Sequence, residues 1–334
     1  MLENRSFLLF ENIRKVIAST QQNIVRNVNA AMVFAYFQIG RMIVEHEQQG
    51  NQRANYAKET LLKLSIALNK EFGKGYSVSN LEYMRSFYLI YQKRISQSVI
   101  GISESPFNLS WTHYIQLLKI KDVNERNFYE IESVNNNWSV RELQRQYNSS
   151  LFERLSLSKD KDEVSQLAHY GQLIEKPTDV LKSHYVLEFL GLEEKAKYSE
   201  SDLEAAIIDK LENFMLELGK GFLFEGRQRR FTFEGDSFYV DLVFYNRLLR
   251  CFVLLDLKIG KLTHQDIGQM QMYVNYYDRK IKLPEEKPTI GIILCKEENR
   301  TVIEFTLPEN NEQIFAKEYK AVLPTKEDLK KQLD

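Results

Sequence analysis

The chain has 334 residues, enough for two domains that each bury a core. With 43% hydrophobic and 27% charged residues it has the composition of a soluble globular protein, and no apolar run approaches the length of a membrane-spanning helix, which excludes an integral helical membrane protein. Met1-Leu2-Glu3-Asn4-Arg5 lacks the basic start and apolar core of a secretory signal. Cys251 and Cys295 both lie in apolar runs and read as small buried hydrophobes in a reducing compartment, so a cytoplasmic location is expected. A net charge of −1 by itself argues against a nucleic-acid partner. The halves differ, however. Residues 1–150 hold 18 Lys+Arg against 13 Asp+Glu, and the rest hold 27 against 33. Such asymmetry points to nucleic-acid contact or, equally, to ordinary surface variation.

The first half reads as helical. Leu8 to Glu47 carries apolar residues at three- and four-residue steps, among them Ile24, Val28, Ala31, Ala35 and Ile39, until Gly50-Asn51 breaks the pattern. Tyr56 to Phe72 forms a second helix, stopped by Gly73-Lys74-Gly75. Ser77 or Ser79 caps a third, running through Leu81, Met84, Phe87 and Ile90. Helix, glycine-bearing turn and capped helix make a helix-turn-helix-like unit in which Asn80, Glu82, Tyr83 and Arg85 face a groove. The form recurs where Glu125–Asn135 leads through Asn136-Asn137-Trp138 into a helix with a Ser139/Glu142 capping box and with Arg141, Arg145 and Gln146 close together. Two plain helical hairpins in a bundle fit the pattern as well.

Residues 156–182 are polar, with the charge cluster 159–163 and a break at Pro177, and read as a connection between a helical domain at 1–155 and a second domain at 183–334. In that second domain a helix spans Ser199 to Leu218 and ends at Gly219 and Gly221. Strands follow at Phe222–Glu225, at Gln228–Phe233 and Phe238–Tyr245 around a Glu234-Gly235-Asp236 turn, and at Cys251–Lys258. A helix over Gln265–Tyr277 and a strand over Thr289–Cys295 complete an α/β core.

Three charged residues stand in runs that otherwise read as buried strand: Asp241, Asp256 and Lys258. If the intervening turn centres between Leu248 and Leu249, Asp241 falls opposite Asp256, and Asp256 and Lys258, two apart, share a face. Buried charges pair or coordinate a metal. A structural salt bridge accounts for Lys258 and one carboxylate. The second carboxylate then lacks a cation, a vacancy that a hard divalent ion fits.

The ordered series Asp241, Asp256-Leu257-Lys258 and Gln269-Met270-Gln271-Met272-Tyr273 resembles the PD-(D/E)XK nuclease superfamily, with Gln269 and Tyr273 similar to the QxxxY helix of its RecB-like branch. Within it the chain resembles the YhcG-type (DUF1016) family. This closer likeness is carried by Gly219-Lys220-Gly221-Phe222, Gly226-Arg227-Gln228, Phe238–Arg250 and Pro288–Lys296, and upstream by Gln38–Ile43 and Trp138–Leu143. The resemblance covers nearly the whole chain. It implies a multidomain protein with an N-terminal all-α domain and a C-terminal restriction-endonuclease-like α/β domain. The family commonly has Glu where Asp256 stands, and the shorter side chain leaves metal binding possible.

The resemblance further implies a nuclease using Mg²⁺, with Mn²⁺ as a substitute, held by Asp241, Asp256 and the Leu257 carbonyl. Lys258 stabilises the transition state, and Gln269 and Tyr273 act from the helix. Glu204 is the candidate for an extra acidic ligand, with Asp209 and Glu225 as competitors, and His264 ranks low as a general base. Arg227, Gln228, Arg229, Arg230 and Lys261 flank the site as phosphate contacts, with Arg85, Arg141 and Arg145 as contacts on the helical half. DNA is favoured over RNA as the partner, no membrane is involved, and a homo-oligomer is compatible. The rival expectation is a non-catalytic nucleic-acid-binding or adaptor protein that keeps the nuclease fold.

Overall fold

The computed structural model describes residues 2–49, 54–95, 106–192, 198–233, 235–323 and 325–331. Gly50-Asn51 and Glu234, read above as a helix break and part of a hairpin turn, lie outside the described residues. The chain folds as two units, residues 1–144 and 145–334.

The first unit is helical. It contains α1 (Leu2–Gln49), α2 (Ala54–Phe72), α3 (Val78–Ile95), α4 (Trp111–Leu117) and α5 (Val123–Asn135), and the boundary between the units falls within α6 (Val140–Asn148). From Val33 onward α1 turns buried residues, including Phe37, Ile43 and Val44, toward α3, whose Leu81, Met84, Phe87 and Tyr91 are buried in turn. Phe107 and Tyr114 fill the space beside Phe87, with ring centroids 4.8 and 4.9 Å from it. Edge and tilted ring contacts of this kind add to plain apolar burial. Gly40 permits the close approach of α1 and α3, because a Cβ there would lie 2.0 Å from the Met84 carbonyl oxygen. Gly40→Ala is therefore expected to destabilise this unit by about 1–3 kcal/mol through overpacking, read as a lower denaturation midpoint at unchanged m-value.

The expected helix-turn-helix form is present as two helices and a turn, with Ser77 Oγ accepting the Asn80 N–H at 3.3 Å. Two of the side chains assigned to a groove are engaged within the fold. Asn80 accepts the Trp111 indole N–H at 2.8 Å, and Arg85 pairs with Glu47 at 2.7 Å.

The second unit holds a six-stranded sheet in the order β1-β6-β5-β4-β3-β2: β1 (His184–Val186), β2 (Phe222–Phe233), β3 (Asp236–Asn246), β4 (Cys251–Lys261), β5 (Ile290–Glu297) and β6 (Ile314–Lys320). The pairs β2–β3 and β3–β4 are antiparallel, and the others are parallel. Helices α7 (Leu151–Ser156), α8 (Lys161–Tyr170), α9 (Glu200–Asp209), α10 (Leu211–Leu218), α11 (His264–Tyr276), α12 (Arg300–Thr306) and α13 (Lys326–Lys330) accompany it. Leu203, Ile207, Phe214 and Leu218 of α9 and α10 pack with Leu242, Phe244, Val253 and Leu255. Ile267, Met270, Tyr273 and Val274 of α11 pack with Val243, Leu254 and Ile293 on the other side. The helix expected over 199–218 is two helices, broken at Lys210, whose φ of −118° and ψ of 31° leave the helical range.

The segment expected to connect two domains, 156–182, belongs to the second unit. Its ends are anchored by a buried ionic network around Glu217, which is wholly inaccessible. Arg154 approaches the Glu217 carboxylate to 2.5 Å, Arg145 to 3.4 Å and Lys182 to 3.6 Å, Lys182 also donates to the Glu217 carbonyl, and the Val186 N–H donates to Glu217 Oε1 at 2.9 Å. Burial alone would raise the Glu217 carboxyl, but Arg154 and Lys182 hold it down at about 2. Burial lowers the Lys182 ammonium to about 7; Glu217 opposes that shift and the neighbouring arginines reinforce it. Arg145, expected on a nucleic-acid surface, instead turns inward to Glu217 and to Glu188, 3.1 Å away.

Candidate active site

The geometry of the candidate site begins at the β3–β4 turn. Asn246 Oδ1 accepts the N–H groups of Leu248 and Leu249 at 3.0 and 3.1 Å, which fixes the turn and with it the strand register. Pairing runs from Asn246↔Cys251 to Leu242↔Leu255 and stops there, while β4 continues along β5 through Asp256↔Ile293 and Lys258↔Cys295. One step past the last β3–β4 pair stand Asp241 and Asp256, the register expected from a turn centred between Leu248 and Leu249.

The strands part at this point, and side chains take over the ladder. The Leu257 N–H donates to Asp241 Oδ2 at 2.8 Å instead of to a backbone carbonyl. The N–H and C=O of one strand residue point to the same side, so the Leu257 carbonyl faces the same opening. Asp241 Oδ1 accepts from the Gln228 amide at 3.1 Å, and that amide also donates to Glu204 Oε2 at 2.7 Å. Gln228 thereby ties α9 to β3. It does so from a φ of 47°, a left-handed conformation uncommon for a residue with a side chain.

Asp256 is 2% exposed. Its Oδ2 lies 2.9 Å from the Lys258 ammonium, yet has no well-aligned hydrogen bond. Burial, and next the Asp241 charge, push its carboxyl up to about 7, with Lys258 opposing. Burial works against the charge on Lys258, but Asp256 and Glu200 more than offset this and raise its pKa. Burial also raises the Glu204 carboxyl; Gln228 opposes and Asp241 adds to the shift. Asp241 thus bears as a like charge on both Asp256 and Glu204, a repulsion that a cation among them would relieve.

Helix α11 starts at a Thr263/Asp266 capping box, which sets the phase that puts Gln269 and Tyr273 on one face. The Gln269 amide donates to the Tyr273 hydroxyl. Tyr273 is buried, which raises its pKa, and the Asp256 and Asp241 charges act on it in the same direction. Asp241, Asp256, Lys258, Tyr273, Gln228 and Glu204 thus come together. Glu200, 3.7 Å from Lys258, was missed in the sequence, where an acidic residue in the first turn of a helix reads as a dipole partner.

The flanking basic residues divide. Arg227 and Arg230 are exposed on the edge strand β2, with Arg230 donating to Ser237 Oγ at 2.8 Å. Arg229 is paired with Glu225 at 2.5 Å, which occupies one competitor for the acidic role. Lys261 pairs with Glu297 at 3.3 Å. Asp209 and His264 are exposed, and Arg141 is exposed on α6.

Among the described residues no three His, Cys, Asp or Glu side chains form a ready-made metal cage. What converges is a carbonyl and a pair of carboxylates, one of whose oxygens, Asp256 Oδ2, has no aligned donor. That donor set fits Mg²⁺, which takes one or two carboxylates and otherwise keeps waters and substrate oxygens.

Two family models match the chain: the YhcG PDDEXK nuclease domain over residues 178–334 and the DUF1016 N-terminal domain over residues 12–154. YhcG of Escherichia coli (strain K12) is 38% identical over 349 aligned positions, which cover 97% of this chain and 92% of that protein. Among solved structures, a repair endonuclease from Pyrococcus abyssi shares 18% identity over 38% of this chain and 50% of its own, with a TM-score of 0.26. EndoMS in a complex with double-stranded DNA shares 14% over 40% of this chain and 51% of its own, with a TM-score of 0.28. At those scores the structural likenesses carry no functional argument. No helix among the described residues is long and apolar enough to cross a membrane. The chain belongs to the YhcG family of nucleases, in which a helical DUF1016 N-terminal domain precedes a PD-(D/E)XK nuclease domain.

Proposed function

We propose that this nuclease is metal-dependent and hydrolyses phosphodiester bonds in DNA at the parting of β3 and β4. The observation that carries the reading is the meeting of Asp241, Asp256 and Lys258 where the ladder ends, with one Asp256 oxygen lacking an aligned donor. Asp241, Asp256 and the Leu257 carbonyl would hold Mg²⁺, with Mn²⁺ as a substitute and Glu204 adding charge from α9. A bound Mg²⁺ there supplies Lewis acidity toward the phosphate and acidifies a water.

The chain's own groups do the rest. Lys258 directs its ammonium at the oxygen that gains negative charge. Gln269 orients water or phosphate, and Tyr273 holds the Gln269 amide in place. Arg227 and Arg230 contact backbone phosphates on the exposed edge strand. Gln228 keeps Glu204 and Asp241 together before the cation arrives.

The test is cleavage of branched, linear and single-stranded DNA, with RNA in parallel, in Mg²⁺ or Mn²⁺ and in chelator. Cleavage of at least one DNA that needs the cation supports the reading. Cation-dependent cleavage of RNA alone overturns the substrate, and cleavage that persists in chelator overturns the metal. No cleavage combined with retained nucleic-acid binding favours the adaptor reading.

A further inference from the structure

Before α1 packs against α3, it presents an apolar face that no described residue of its unit covers. Every described side chain from Phe10 to Val28 is exposed. Phe10, Ile13, Ile17, Ile24, Val28 and Met32 are 41–60% exposed, and with Thr20 they recur at steps of three and four residues. That spacing makes one stripe along a helix, and from Phe10 to Ile24 its alternating steps are the seam pattern of a coiled coil over two heptads. Helices left alone in water are marginal, so a stripe of this kind calls for a partner.

We infer that this face of α1 pairs with the same face of a second copy of the chain. The series contains no charged residue, so two identical copies oppose no like charges across the seam. Its one polar member between Phe10 and Ile24, Thr20, already donates its hydroxyl to the Val16 carbonyl at 2.8 Å. The seam therefore covers the Thr20 methyl without orphaning a donor. The six large side chains offer on the order of 600 Å² per copy, about 1,200 Å² for the pair, the lower bound of a stable specific interface. Ile17 and Ile24 lie one heptad apart and occupy the same seam position.

Sedimentation equilibrium of the full-length chain over a range of micromolar concentrations tests the inference, beside the double variant Ile17→Asp/Ile24→Asp. The expected result is a dimer for the parent and a monomer for the variant. Near-ultraviolet circular dichroism from the two tryptophans should be unchanged. The Trp111 ring lies tilted against Tyr36, centroids 5.0 Å apart, inside the packed part of this unit, so the signal reports that core. A monomeric parent overturns the inference, as does a variant that remains dimeric. Loss of the tryptophan signal in the variant also overturns it, since the face would then act within the fold and not between copies.

Discussion

Lys258→Ala is expected to lower nucleic-acid cleavage by about a hundred- to a thousandfold, the loss that follows removal of one preorganised group facing developing charge. The fold should survive. Removing an ammonium 2.9 Å from a buried carboxylate usually strands a charge, but burial and Asp241 already bring Asp256 to about 7. Without Lys258 its pKa rises further, so the carboxyl takes a proton near neutral pH and no bare charge is left inside. Single-turnover cleavage and thermal denaturation of the same preparation separate the two effects. Cleavage at the parent rate would place the chemistry elsewhere. A collapse in stability with no folded protein would make Lys258 the structural half of a salt bridge.

Glu217→Ala is expected to destabilise the second unit by about 3–5 kcal/mol, because it leaves buried cations without a counter-charge. A guanidinium keeps its proton inside a protein. Lys182, lowered to about 7 by burial, can lose its own. Lys182→Met should therefore cost much less than Glu217→Ala, although both side chains are buried. Acidity gives a second reading. The folded carboxyl sits at about 2, below its ordinary 4.5, so its stabilisation is complete above pH 4.5 and is lost as pH falls toward 2. Chemical denaturation of Glu217→Gln should show a flatter acid limb than the parent. Equal costs for the Glu217 and Lys182 replacements would contradict this assignment of charges.

Most of the candidate site was legible in the sequence because its signals are local. Two aspartates and a lysine interrupt apolar strand runs, and a five-residue connection, Asn246–Arg250, sets their register. The Gln269/Tyr273 pair depends only on helical spacing. What was not legible is long-range. Gln228 sits opposite Asp241 only because β2 carries a bulge between Phe224 and Gly226, which no hydrophobic pattern announces. The polar segment 156–182 reads as a connection, and Asp160 and Asp162 of its charge cluster are exposed in the structure. Its flanking ions, Arg154 and Lys182, are buried against Glu217, whose place in an amphipathic helix gives no hint of burial. Arg145 was misread for the same reason. The three-residue strand His184–Val186 is too short for a period-two signal, and it exists through parallel pairing with Ile314–Lys320.

The most direct measurement is a crystal structure of the full-length protein grown or soaked with Mn²⁺, read by anomalous scattering. The expected peak lies within bonding distance of Asp241, Asp256 and the Leu257 carbonyl, and it is absent in Asp241→Asn. A peak elsewhere, or none while Lys258 stays paired with Asp256, would contradict a metal-dependent site at the parting of these strands.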